Sequence, residues 1–143
     1  EESPAITIDS LSTKLVELQH SYNFLYCDYS LYQIKTDLEQ LSQDIQIIKN
    51  ELTFHLYNGQ CDRDVYTLYS ENYDAKCKSY DAIKRKSEVV QEPVKIKIVT
   101  TGFTEPELIV FSTYIEAIES GMKVVESTLK RYDACLKIYR DNM

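Results

Sequence analysis

Over residues 108–139 the apolar side chains Leu108, Phe111, Ile115, Ile118, Met122, Val125, Leu129, Tyr132, Leu136 and Tyr139 recur in alternating steps of three and four. Only an α-helix turns that spacing into one continuous stripe. Beside it runs a line of mostly small residues, Val110, Tyr114, Ala117, Gly121, Val124, Thr128, Cys135 and Ile138. The apolar arc is therefore wider than a two-stranded coiled coil needs, which predicts a helix packed on two sides. The rest of the chain has to supply its partners. The expected fold is all-α, a bundle of three long coiled-coil-like helices built as a helical hairpin plus a third helix, with a small two-stranded β element near one end.

The first helix is expected to start with Asp9 or Ser10 as its N-cap, since either side chain accepts from backbone N–H groups that lack an intrahelical partner. Two heptad registers overlap in it. Leu11, Leu15, Leu18, Tyr22, Leu25, Tyr29 and Tyr32 form one, and Cys27, Leu31, Ile34, Leu38, Leu41, Ile45, Ile48 and Leu52 the other. In the second, Leu31, Leu38, Ile45 and Leu52 take the a positions and Cys27, Ile34, Leu41 and Ile48 the d positions, and leucine at a with isoleucine at d favours three or four strands over two. Run to Tyr57, the helix either extends past a shorter neighbour or bends near residues 29–32. Protruding heptads would then pair with another copy or with a different subunit.

Asn58-Gly59 ends that helix, because glycine relieves the left-handed strain at a helix C-terminus. Asp62 is the next N-cap, and Asp64 suits the positive end of the helix dipole. A second helix over 62–91, antiparallel to the first, carries Tyr66, Tyr69, Tyr73, Tyr80, Ile83 and Val90, interrupted by Lys76 and Ser87. Its stripe is the most polar of the three, which marks it as the outermost helix or the one with a wet edge. Pro93 is expected to stop it. The β-branched alternation of residues 94–100 predicts a strand, and that of residues 5–8 a mate for it, with Ile6 and Ile8 in reach of Ile96 and Ile98. The second choice for that strand is an edge open to a partner's strand. Gly102 turns the chain, Thr104 caps the third helix, and Pro106 sits in its first turn with Glu105 and Glu107.

Three glycines and three prolines in 143 residues argue against an all-β fold and for a few long helices in one domain, residues 1–143. The chain opens at Glu1 and closes at Met143 in helical periodicity, so it is expected to be a fragment or a processed part of a longer chain. A net charge of -7 argues against general affinity for nucleic acid or anionic membrane. No apolar run approaches the ~20 residues that span a bilayer.

Chemistry-bearing motifs are weak. Cys27, Cys61, Cys77 and Cys135 form no CxxC pair, and His20 and His55 stand at no metal-finger spacing, so no metal or cofactor is expected and the thiols are read as small buried hydrophobes. No nucleophile, phosphate-loop or metalloprotease motif occurs, so no enzyme is expected. Lys84-Arg85-Lys86 reads as the polar side of the second helix.

Twelve tyrosines without a tryptophan stand out, since tyrosine buries a large rigid ring while keeping its hydroxyl wet. Most are expected to bridge core and solvent, with those at 22–32 zipped against those at 66–80. Tyr26, Tyr29 and Tyr57 depart from the cleaner stripe and are the candidate partner-binding residues. Ala117 and Gly121 join them as a flat patch, expected to receive the second helix or an outside partner. The functional expectation is a non-enzymatic interaction or assembly module, cytoplasmic or nuclear, that packs its helices against protein partners, a second copy included. The alternative is an exported pathogen or viral helical protein that binds a host molecule, with paired cysteines.

Overall fold

In a computed structural model of the chain, residues 7–59 and 61–143 are described. They form three α-helices, α1 (Ile8–Tyr57), α2 (Arg63–Thr101) and α3 (Glu105–Asp141), and no strand is present among the described residues. The helix ends follow local chemistry. Thr7, two or three residues earlier than expected, caps α1 by accepting from the Ser10 N–H at 3.0 Å. Gly59 takes the left-handed conformation with φ 67°, and the Asp62 carboxylate caps α2 by accepting from the Val65 N–H at 2.9 Å. Gly102, at φ 76°, ends α2. Glu107 reaches back to accept from the Thr104 N–H at 2.8 Å, with Pro106 in the first turn of α3.

Contacts fix the directions. Glu51 meets Tyr69, Asp37 meets Lys86 and Asn23 meets Lys97, so α1 and α2 are antiparallel. His20 meets Glu107, Phe24 stacks near Phe111 and Thr53 lies by Cys135, so α3 runs parallel to α1. One core joins all three helices, and to it α3 contributes Phe111, Ile118, Val125, Leu129, Tyr132, Leu136 and Tyr139 from the heptad stripe. Leu108, at the head of that stripe, stays 40% exposed.

Among the described residues the two-stranded β element is absent. Residues 94–100 are helical, and Ile8 lies in the first turn of α1; the remainder of the N-terminal segment, Ile6 included, falls outside the described residues. Alternation had hidden a second periodicity. Ser87, Val90, Val94, Lys97 and Thr101 continue the α2 stripe in steps of three and four, and Ser87 and Val94 are buried in the bundle. Helical backbone also satisfies its own N–H and C=O groups, whereas a lone strand leaves half of them unpaired. Pro93 is therefore carried inside α2, on the exposed side.

The tyrosine zipper forms between a different pair of helices. Because α1 and α2 fold back at Gly59, residues 22–32 of α1 lie opposite the C-terminal part of α2, not its tyrosines. The α2 rings meet α3 instead: Tyr66 stacks on Tyr139, and Tyr73 lies 5.3 Å from Tyr132. The Tyr80 hydroxyl donates to Glu126 and the Tyr69 hydroxyl to Glu51. Burial and these acidic partners push the Tyr69 and Tyr80 phenols up.

Candidate interaction surface

His20 marks where α1 leaves the bundle. Its ring lies edge-on to Phe103 in the α2–α3 turn, and its Nε2 is 3.0 Å from a Glu107 oxygen. The Thr104 N–H, and then His20, hold the Glu107 carboxyl below its ordinary range. Every residue of α1 before His20 is exposed. Residues 8–19 therefore form an exposed overhang of roughly 18 Å of helix, which borders the end of α2 at its base, where Val16 and Gln19 line a depression with Thr100 and Thr101.

The overhang carries one half of the first heptad register, and the outside of the bundle carries the other. Leu11, Leu15, Leu18, Tyr22, Leu25, Tyr29 and Tyr32 are all exposed, from 48% at Tyr32 to 67% at Tyr29. Ile8, 83% exposed, extends the same spacing by one step. The second register, Cys27 through Leu52, supplies the α1 side of the core, with Ile48 half-buried. At about 100° per residue the two registers lie on opposite faces. Length decides which goes inside. The second register persists to Leu52 and matches the full extent of α2 and α3, while the first ends at Tyr32 and could cover them only in part.

The sequence candidates land in three places. Tyr29 is on the outer stripe, and Tyr26 flanks it, half-buried, with Lys97 Nζ 5.0 Å from its ring centre. Lys97 also lies 5.7 Å from the Tyr22 ring, so the α2 terminus supports the tyrosine half of the stripe from one side. Tyr57, 85% exposed, is at the other end of α1, near an open depression of about 500 Å³ lined by Ile47, Phe54, His55 and Tyr69. Ala117 and Gly121 are on α3 against α1, not α2: a Cβ built on Gly121 would meet the Leu38 Cβ and Cδ1 at 3.3 Å. Gly121 therefore serves close approach within the bundle. A shallow depression of about 260 Å³ remains there, lined by Leu38, Ser42, Ala117 and Val124 among others.

Ile8, Leu11, Leu15, Leu18, Tyr22, Leu25 and Tyr32 complete the outer stripe, on which Tyr29 alone is a sequence candidate. Their signal was present in the heptad spacing. What the spacing lacked was any indication of which register meets α2 and α3.

The remaining chemistry is sparse. All four cysteines are free thiols, and burial pushes those of Cys27 and Cys77 up. Cys135 Sγ lies 3.6 Å from Thr53 Oγ1. Lys84, Arg85 and Lys86 are exposed on α2, with Lys86 3.7 Å from Asp37. Among the described residues no group of three or more His, Cys, Asp or Glu side chains is placed to hold a metal ion, and no helix is long and apolar enough to cross a membrane. Comparison of the chain with protein-family models, with curated proteins and with solved structures gave no match.

Proposed function

We propose that the chain is a non-enzymatic assembly module whose working surface is the outer heptad face of α1, residues 8–32. The observation that carries this reading is the eight-residue stripe from Ile8 to Tyr32, spaced for helix pairing and exposed along its whole length. Scattered exposed apolar residues need no explanation, but a contiguous stripe of this size marks an interaction site. Heptad spacing also specifies the kind of partner, an α-helix laid alongside. The overhang sharpens the argument, since an isolated helix of this length gains little stability in water without packing. A reducing compartment, cytoplasm or nucleus, suits four cysteines that serve as thiols.

The test is a photo-crosslinking amino acid placed at Leu18 in the cells that make the protein, with the same group at Arg85 as control. A discrete adduct from position 18 and none from position 85 supports the reading. Equal labelling from both sites, or none from position 18, sinks it.

A further inference from the structure

The outer stripe of α1 is divided into two unlike halves of nearly equal length. Ile8, Leu11, Leu15 and Leu18 lie on the overhang and are aliphatic. Tyr22, Leu25, Tyr29 and Tyr32 lie along the bundle and are mostly aromatic. A parallel, in-register pairing of two copies would stack like on like, tyrosine against tyrosine, and leave each overhang wrapped only around the other. Antiparallel pairing does the reverse: the overhang of one copy runs along the tyrosine half of the other.

The register then follows from the spacing. With Ile8 at an a position, Leu11, Leu18, Leu25 and Tyr32 are d and Leu15, Tyr22 and Tyr29 are a. Antiparallel coiled coils set a against d, so Ile8 faces Tyr32 of the other copy, Leu11 faces Tyr29, Leu15 faces Leu25 and Leu18 faces Tyr22. Every contact except Leu15–Leu25 joins an aliphatic side chain to a ring. In the same register the flanking g positions set Lys14 against Asp28, twice by symmetry, and Gln19 at an e position faces its own copy across the two-fold axis. Lys14 is exposed, and Asp28 is half-buried on the α3 flank of the stripe, hydrogen-bonded with Tyr114. The parallel register sets Lys14 only against Gln19 and Asp28 only against Gln33.

Size agrees as well. Eight large side chains, each offering on the order of 100 Å², approach the ~800 Å² per partner of a standard stable interface. The stripe lies on the face of α1 opposite its buried register, with Tyr22 bordered by Lys97 of α2 and Tyr32 by Tyr114 of α3, so the two bundles sit on opposite sides of the joint.

We propose that the partner on this face is a second copy of the chain, joined through residues 8–32 of α1 in a two-fold antiparallel coiled coil. This rests on the outer face of α1 being a helix-pairing surface. Each overhang covers the tyrosine half of the other copy, and Lys14 pairs with Asp28 on both flanks.

Light scattering of the purified chain at micromolar concentration is expected to give twice the 16.7 kDa chain mass. The double substitution Leu15→Asp and Leu18→Asp, at two exposed positions of the overhang, is expected to give a monomer with the bundle's thermal transition retained. Lys14→Glu is expected to weaken the dimer roughly fivefold, and adding Asp28→Lys to restore it. With Cys61 and Cys77 changed to serine, mild oxidation is expected to link Gln19→Cys to itself and to leave Ser12→Cys unlinked. A strict monomer at all concentrations overturns self-pairing; if position 18 still forms an adduct in cells, the assembly reading survives with a different partner. A dimer that ignores the two aspartates overturns the surface. A dimer linked through Leu18→Cys but not through Gln19→Cys overturns the antiparallel direction.

Discussion

The hydroxyl of Tyr132, fully buried in α3, donates to the backbone carbonyl of Tyr69 in α2 at 2.7 Å. A large ring is thereby placed at the centre of the three-helix core with its one polar atom satisfied. Removing the oxygen alone, by Tyr132→Phe, is expected to cost about 1 kcal/mol, roughly 3 °C in Tm. Tyr132→Ala opens a cavity and should cost about 3–5 kcal/mol. Denaturant melts of both variants separate the two contributions, and equal losses would show that the hydrogen bond, not the ring, dominates.

The two heptad registers of α1 make opposite demands on mutation. Ile34 is wholly buried and Leu18 is 65% exposed, although both sit on regular apolar stripes. Ile34→Ala is expected to lose about 2–5 kcal/mol at any protein concentration. Leu18→Ala, measured in solution dilute enough for single chains, should stay within about 0.5 kcal/mol of the parent. A large loss at Leu18 under those conditions would mean that the outer stripe is part of the monomer's core.

Pro93 lies inside α2, on its exposed side, where the missing N–H leaves the carbonyl four residues earlier without its helical donor. Pro93→Ala restores that bond and removes the ring clash. Its stability should rise, by at most the ~3 kcal/mol that separates the two residues in a helix interior. Hydrogen exchange across residues 94–100 should show helical protection in both proteins. A destabilised variant, with fast exchange over 94–100, would argue that this segment is not helical.

Alkali should unfold the protein through its core tyrosines. Burial, with Cys77 as hydrogen-bond partner, pushes Tyr73 up to about 12, and burial pushes Tyr80 and Tyr132 higher still. Unfolded phenols ionise near 10. A group raised in the folded state contributes stability that is complete below the unfolded value and is lost as pH rises through the folded one. Constant helicity is therefore expected up to about pH 10, followed by joint loss of helicity and a steep wave of phenolate absorbance. Full ionisation of all tyrosines with helicity unchanged would contradict the buried hydroxyls.

Much of the fold was legible because it depends on short-range chemistry. Asn58-Gly59, Asp62, and Thr104 with Pro106 each act over a turn or less of backbone, so the breaks between helices could be read from residue types alone. The stripe of α3 was equally plain, since ten residues at heptad spacing have no other regular use. The candidate site was legible in part: Tyr29 lies on the outer face and Tyr26 at its edge, whereas Gly121 packs on Leu38 inside the bundle.

By itself, then, the sequence determined three long helices, the break between α1 and α2 and the start of α3, and that α1 carries more apolar surface than one face can hold. Tertiary structure decided which register of α1 went inside, that residues 94–100 stayed helical, and that Gly121 met α1. Those outcomes depend on comparing lengths and faces between elements. The buried register of α1 won because it reaches as far as α2 and α3 do, and Val94 stayed helical because it completes a stripe begun at Tyr66. Local spacing is the same for a stripe that finds a neighbour in its own chain and for one that does not, so the outer face from Ile8 to Tyr32 became visible only once the core had been filled without it.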